Sequence, residues 1–222
     1  MNYSVVIPCA GKGSRMGLDE NKIFLPLNGK SIIEHTVNIF LEDERCKQII
    51  LVHSQEDEKK IKEIFSTYKL FFTLGGKERT DSVYAGLKLV SEDVVLIHDG
   101  ARPFVTKDCI NNVLNALDTH VGAICGVPVK DTIKVVDKGV IISTPPRETL
   151  WQAQTPQGFK TAILLGILCV TGIYMSIYAN NNYLKTRYEA IIDQSVSYME
   201  LTEKYNVIEQ RGEIFVLEEK FP

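Results

Sequence analysis

The chain has 222 residues, of which 45% are hydrophobic and 24% charged, with a formal net charge of −3 at pH 7. This length and composition predict one globular domain spanning 1–222, with a core of its own. The negative charge argues against general affinity for nucleic acid. The five cysteines are scattered without a C-x-x-C pair, which is typical of reduced cytosolic thiols and not of a disulfide framework or a zinc site. Because the first residues lack the pattern of a signal peptide, we expect a cytoplasmic protein.

Short apolar runs alternate with helical patterns through the first half of the chain. Strands are predicted at 5–7, 48–53, 70–74 and 94–98, and helices at 31–41, 54–66 and 80–90, where apolar residues recur three and four apart. Ser31 and Glu34 have the spacing of a capping box at the start of the first helix. Continuous apolar strands alternating with helices predict an α/β fold with a mostly parallel, twisted sheet flanked by helices.

A projecting β-hairpin is predicted farther along the chain. Strands are expected at 121–129 and 133–136, after which Asp137-Lys138-Gly139 turns the chain back into a strand at 140–143. Apolar residues fill both strands of this hairpin, which would be marginally stable alone. The pattern therefore predicts an arm at 131–150 that packs against a partner chain.

A glycine-rich, basic loop follows the first predicted strand. The sequence PCAGKGSRMG at 8–17 matches neither the P-loop pattern nor the dinucleotide fingerprint, whose third glycine it places one residue late. Glycines nevertheless let backbone N–H groups approach an anion closely, and Lys12, Arg15 and Lys22 add positive charge. Considered alone, the loop could equally be a glycine turn with solvated cations.

Two later strand ends strengthen the prediction of an anion site. Gly75–Ser82 and His98–Pro103 are also glycine-bearing polar turns, and ligands of such sheets gather at the carboxyl ends of the strands. Asp99 would face the phosphate loop there and is a natural ligand for Mg²⁺, although alone it could simply cap a loop. Together the turns predict a cleft for a nucleoside triphosphate and magnesium, which contains Arg15, Lys22, Asp99 and Arg102.

Six ordered blocks resemble the 2-C-methyl-D-erythritol 4-phosphate cytidylyltransferase family over roughly 3–165. They are VVIPCAGKGSRMG, NKIFLPLNGKSIIEHTV, GGKERTDSVYAGL, HDGARPFV, PVKDTIK and LWQAQTPQGF. The related ribitol-5-phosphate cytidylyltransferases share the loop, but the last two blocks favour the methylerythritol enzymes. The resemblance implies a Rossmann-like nucleotidyltransferase fold. It also implies transfer of CMP from CTP to methylerythritol phosphate, with Mg²⁺, in non-mevalonate isoprenoid synthesis.

The resemblance also implies roles for individual residues. The catalytic residues would be Arg15, Lys22 and Arg147. The nucleotide would be bound by Ala10, Gly11, Gly13, Gly76, Ser82 and Asp99, with Asp99 also holding the metal. The alcohol substrate would be bound by Arg102, Thr132 and Thr155. In the family the arm is exchanged within a homodimer, so that Thr132 and Arg147 would complete the site of the partner.

The last quarter of the chain departs from the family pattern. The expected T-D-[DE] and N-I-K-x-T blocks are missing, and the segment 161–184 contains no charged residue. That segment is long enough to span a membrane, and a membrane-attached nucleotidyltransferase is one alternative, but its glycines and hydroxyls favour a buried or interface helix. A divergent or frame-shifted tail is a third interpretation. One edge strand is predicted at 213–217, and the missing blocks leave open a CTP-binding relative with weak catalysis.

Overall fold

A computed structural model describes residues 1–11 and 20–165, together with the backbone of two strands at 205–211 and 214–219. Some features predicted from the sequence lie outside the described residues, namely Lys12, Gly13, Arg15 and the uncharged segment beyond residue 165. No helix in the described part of the chain is long and apolar enough to cross a membrane.

Within these residues the chain forms twelve strands, four complete α-helices and a further helical segment at 161–165. The strands are β1 (Tyr3–Pro8), β2 (Pro26–Leu27), β3 (Lys30–Ser31), β4 (Cys46–His53), β5 (Phe71–Leu74), β6 (Val94–Ile97), β7 (Gly122–Pro128), β8 (Val135–Asp137), β9 (Val140–Ser143), β10 (Trp151–Lys160), β11 (Tyr205–Arg211) and β12 (Ile214–Glu219). The helices are α1 (Ile32–Leu41), α2 (Glu58–Ile64), α3 (Arg79–Leu87) and α4 (Lys107–Ala116).

The main sheet has the strand order β11-β12-β7-β10-β6-β1-β4-β5. Strand β1 pairs in parallel with both β4 and β6, and β4 pairs in parallel with β5. Strand β10 runs antiparallel to both β6 and β7, so β7 points the same way as the parallel strands. The prediction of a mostly parallel α/β sheet is confirmed.

Helices cover both faces of the sheet because successive strand residues point to opposite sides. Val5 and Ile7 of β1 belong to the larger core cluster, which includes residues of α1, α2 and α4. Val6 belongs to the second cluster, with residues of α3. A Cβ at Gly86 of α3 would lie 2.4 Å from Val6 Cγ1, so glycine allows this helix to approach the sheet closely.

Helix α2 and the strands of the tail differ from the sequence prediction. Helix α2 begins at Glu58 and not at residue 54, because Ser54 and Asp57 form a turn in which each bonds to the other. The predicted edge strand at 213–217 is β12, but it lies between β7 and β11, and β11 takes the edge. The tail therefore adds two strands to the sheet where one was expected.

The predicted arm is present as a hairpin between β7 and β10. Strands β8 and β9 pair antiparallel, and Lys138 and Gly139 take positive φ values of 47° and 82° in the turn. All residues from 130 to 144 are exposed in the single chain. The exposed fractions of Val140 and Ile142 reach 68% and 64%, so the arm presents a largely apolar surface.

Candidate active site

The turns after β1, β5 and β6 meet at the carboxyl edge of the parallel strands. The backbone N–H of Gly100, after β6, donates to the carbonyl of Pro8 at the end of β1, with an N–O distance of 3.3 Å. A Cβ added at Gly75, after β5, would lie only 2.8 Å from the Ala10 Cβ. The structure thus brings three glycine-bearing turns against one another, as in a ligand cleft at the end of an open α/β sheet.

Asp99 lies in this cleft between two arginines. Arg79 Nη2 donates to Asp99 Oδ1 at 3.0 Å, and Arg102 Nε donates to Asp99 Oδ2 at 2.9 Å. The backbone N–H of Asp99 donates to Thr155 Oγ1 at 3.4 Å, and Arg102 also bonds to Gln154. Burial alone would raise the pKa of Asp99, but the two arginines outweigh it and hold that pKa below its usual value. Asp99 is therefore an anion at neutral pH.

Buried polar groups hydrogen-bond to the turn that carries Asp99. His98 is fully buried edge-to-face against Phe40, and its Nε2 bonds to the Arg102 carbonyl at 3.0 Å. Burial lowers the pKa of His98 to about 4, so the ring is neutral and Nε2 carries the proton as donor. Thr36 of α1 donates to the Gly100 carbonyl at 3.0 Å. These bonds hold the 98–102 turn in one conformation.

The turn after β5 is built around Ser82 of α3. Ser82 is buried, its hydroxyl accepts a bond from the Gly76 N–H at 3.3 Å, and the same hydroxyl donates to the Glu78 carbonyl at 3.2 Å. A Cβ at Gly76 would lie 2.2 Å from the Asp81 Cβ, so this position requires glycine. Gly75 lies against both Ser82 and Ala10, so the turn after β5 is next to the start of the glycine loop.

Lys22 lies on a short 3-10 helix, Lys22–Phe24, and is half-buried. Ile23 and Phe24 of this helix are buried in the core and anchor it. The preceding Asn21 donates from Nδ2 to the Cys9 carbonyl at 2.8 Å, which places residue 21 at the start of the glycine loop. Of the loop residues described, Ala10 is half-buried, whereas a Cβ at Gly11 would meet open space.

The two residues predicted on the arm flank its strands, one before β8 and the other after β9. Thr132 is exposed, and Arg147 begins a 3-10 helix at the base of the arm, where its Nη1 donates to the Lys130 carbonyl at 3.0 Å. Among the described residues, no hydrogen bond or ion pair joins either of them to Asp99 or Lys22.

A metal in this cleft would have Asp99 as its protein ligand. The described residues contain no cluster of three or more His, Cys, Asp or Glu side chains able to hold a metal. Mg²⁺ is often held by one or two carboxylates plus phosphate oxygens and water, so a single carboxylate beside bound phosphates would be sufficient. Both Asp99 oxygens are occupied by arginines here, and Mg²⁺ fits if one arginine turns to the ligand's phosphates.

Three residues of the cluster are not among the site residues predicted from the sequence. Arg79 pairs with Asp99, His98 supports the turn, and Asn21 fixes the position before Lys22. Arg79 and His98 both lie inside the family-like motif blocks, and the position of Arg79 at the start of a helix after a glycine bend is a signal that the sequence carries. Asn21 also begins a motif block, but its bonds to Cys9 and Asp57 join residues 12 and 36 apart in sequence, so local pattern does not reveal them.

Comparison with known proteins gives consistent matches. The sequence model of the family described as 2-C-methyl-D-erythritol 4-phosphate cytidylyltransferase (IspD) matches residues 3–204. The match therefore continues beyond residue 165, where the resemblance was expected to end. The chain is 46% identical over 168 residues to the enzyme of that name from Bacillus mycoides, covering 73% of this chain and 74% of the relative. It is 43% identical over 187 residues to the one from Clostridioides difficile, covering 82% and 76%.

Solved structures show the same likeness. The 4-diphosphocytidyl-2C-methyl-D-erythritol synthase from Anaerococcus prevotii superposes with a TM-score of 0.66 at 27% identity, covering 91% of this chain and 83% of that one. The 2-C-methyl-D-erythritol 4-phosphate cytidylyltransferase from Francisella tularensis gives a TM-score of 0.65 at 28% identity, covering 91% and 87%. The fold and the motif blocks therefore point to the same group of proteins.

Proposed function

Because the chain belongs to the 2-C-methyl-D-erythritol 4-phosphate cytidylyltransferase family, we propose that it transfers CMP from CTP to methylerythritol phosphate. The products are the CDP-alcohol and pyrophosphate, in non-mevalonate isoprenoid precursor synthesis. The observation that carries the proposal is Asp99, held between Arg79 and Arg102 where three glycine-bearing turns meet. This arrangement offers both a carboxylate for a metal and cations for phosphates.

The reaction needs charge stabilisation more than a general base. An oxygen of the methylerythritol phosphate attacks the α-phosphorus of CTP, a new P–O bond forms, and the α,β-bridging bond breaks. Pyrophosphate leaves with the electron pair of that bond. The attacking phosphate has a second pKa near about 6, so it is mostly a dianion at neutral pH without help from a base. Lys22 and Arg15 would stabilise the charge that develops around the α-phosphorus.

The nucleotide would lie along the three turns. Ala10, Gly11 and Gly13 would present backbone groups to the phosphates, since glycine permits close backbone approach. Gly76 and Ser82 would contact the cytidine from the turn after β5, where buried Ser82 already fixes the bend. When bound, Mg²⁺ would neutralise phosphate charge, and Asp99 would hold it.

The alcohol phosphate would be bound partly by a second chain. Arg102 and Thr155 lie at the cleft of the same chain and would contact the substrate. The exposed apolar surface of the arm supports a homodimer in which the arm packs on a partner. Thr132 and Arg147 would then reach the partner's cleft, and both are exposed in the single chain.

We place the enzyme in the cytoplasm as one domain spanning 1–222, with 131–150 as its arm. Free cysteines in the described residues are consistent with a reducing compartment.

The test is pyrophosphate release by the purified protein with CTP and Mg²⁺. Methylerythritol phosphate should support turnover, ribitol 5-phosphate should not, and excess chelator should abolish the reaction. Turnover with ribitol 5-phosphate but not with methylerythritol phosphate would identify a ribitol-5-phosphate cytidylyltransferase. CTP binding without pyrophosphate release from either alcohol would identify a non-catalytic relative and overturn the proposal.

A further inference from the structure

We propose that Asn21 is a positioning residue, whose buried amide fixes Lys22 against the start of the glycine loop. The inference rests on the proposed function, because the role of Lys22 in charge stabilisation belongs to that proposal.

The Asn21 side chain uses its donors and its acceptor together. Its Nδ2 donates to the Cys9 carbonyl at 2.8 Å and to Asp57 Oδ2 at 2.9 Å, while its Oδ1 accepts from the Ile23 N–H at 3.3 Å. The residue is only 7% exposed. A primary amide supplies two N–H donors and a carbonyl acceptor, so these partners also fix the orientation of the amide.

Both partners of Nδ2 are themselves held in place. The Cys9 N–H donates to the Val52 carbonyl at 2.8 Å, which ties the start of the loop to β4. Asp57 Oδ2 also accepts from Ser54 Oγ at 2.8 Å in the turn before α2. Asn21 therefore connects the end of β1 with the turn that follows β4, two fixed points of the scaffold.

Lys22 depends on this connection for its position. Its 3-10 helix has three residues, and one turn of helix has little stability of its own. The bond from Ile23 to Asn21 caps that helix, and the next residue, Phe24, donates to the Asn21 carbonyl at 3.0 Å. Since Lys22 lies between these residues, the Asn21 amide fixes the backbone position from which the Lys22 side chain extends. Displacement of a catalytic group by about 1 Å can reduce the rate on the order of 100-fold.

Asn21→Asp is the most informative substitution, because it keeps the shape and removes the donors. The new carboxylate would face the Cys9 carbonyl and the Asp57 carboxylate. The charged or titratable groups around it are Asp57, the buried Cys9 thiol, Lys22 and the exposed pair Glu20–Lys60. Two carboxylates this close cannot both ionise easily, so the pair should take up a proton as the pH falls and regain one O–H donor.

We expect Asn21→Asp to lower kcat on the order of 10- to 100-fold at pH 8, with a smaller change in the KM for CTP. The ratio of its kcat to that of the wild type should rise toward pH 6. Adding Asp57→Asn should restore much of the rate and remove that pH dependence, since the amide introduced at position 57 can donate to the carboxylate introduced at position 21. Glu20→Gln, which changes an exposed neighbouring pair, is the control and should leave kcat unchanged.

A double-mutant cycle with Lys22→Ala separates positioning from general destabilisation. If Asn21 acts through Lys22, Asn21→Asp should cost little further rate in the Lys22→Ala background. An equal loss in both backgrounds, a loss unaffected by pH and by Asp57→Asn, or normal kcat in Asn21→Asp would overturn the inference. If Asn21→Asp does not fold, Asn21→Ser is carried through the cycle with Lys22→Ala alone, and an equal loss in both backgrounds would again overturn the inference. Failure of the proposed function would appear differently, as absent pyrophosphate release by the wild-type enzyme.

Discussion

Replacing Asp99 with asparagine should abolish most turnover while leaving the fold nearly intact. The substitution keeps the size of the side chain but removes the charge shared by Arg79 and Arg102. It also removes the single carboxylate that we assign to Mg²⁺. The bond from the Asp99 backbone N–H to Thr155 does not depend on the side chain and should remain.

The structure allows the two effects to be separated by size. The Asp99 side chain is 30% exposed, as is Arg79, so solvent screens both pairs, and we expect a stability loss of only about 1 kcal/mol. Loss of a preorganised charge at the reacting phosphate typically costs about 100- to 1000-fold in rate, or about 3 to 4 kcal/mol. The loss of turnover should therefore greatly exceed the loss of stability.

The assay pairs pyrophosphate release at saturating CTP and Mg²⁺ with urea unfolding of the same preparation. Asp118→Asn, at an exposed position after α4, is the matched control and should behave as the wild type in both measurements. Because the arginines hold the pKa of Asp99 below its usual value, Asp99 is ionised throughout pH 6–8. The defect of Asp99→Asn should then be constant over that range. More than about a tenth of normal turnover, or a defect explained by unfolding, would refute the assignment.

The remaining predictions concern the loop, the arm and the far end of the sheet. Lys22→Ala should lower kcat by about 100- to 1000-fold with unchanged urea unfolding, and retention of a tenth of the rate would exclude it from the catalytic set. Arg147→Ala should raise the KM for methylerythritol phosphate and leave CTP binding, measured by calorimetry, unchanged. Mixed dimers of Arg147→Ala and Lys22→Ala subunits should recover one working site, and no recovery would argue against a site shared between subunits. Asp43→Asn should lower the free energy of unfolding by about 1 to 2 kcal/mol at pH 7, because hydrogen bonds from Arg45 and then Tyr3 lower the pKa of Asp43 to about 2. That contribution is present above about pH 4 and is lost as the pH falls toward 2, so urea curves of wild type and variant should converge there; a constant gap would contradict it.

Much of the sheet could be predicted from local sequence pattern. The apolar runs of β1, β4 and β6 and the glycine turn of the arm carry their own signals, and β9 occupies the residues predicted. Strand β10 carries no such signal, because its sequence WQAQTPQGFK is polar. Its pairing with β7 also shifts register between Ala153 and Gln157. It is a strand because it pairs with β6 and β7, and these long-range pairings cannot be predicted from local hydrophobic periodicity.

The site divides in the same way. The glycine turns and Asp99 follow from where strands end, since the carboxyl ends of parallel strands share one edge. The ion pair of Arg79 with Asp99 joins residues 20 apart in sequence, and the bond of Asn21 to Asp57 joins residues 36 apart. Such contacts depend on the assembled fold. The sequence therefore predicts the location of the cleft but not the contacts that hold its side chains.

The measurement that most directly tests the central claim follows the α-phosphate of CTP. Purified protein is incubated with Mg²⁺, methylerythritol phosphate and CTP labelled with ³²P at the α-position, and the products are separated by chromatography. The account predicts label in a CDP-alcohol that forms only when methylerythritol phosphate is present, with unlabelled pyrophosphate in equal amount. Label that remains in CTP, or that appears as free CMP independent of the alcohol, would contradict it.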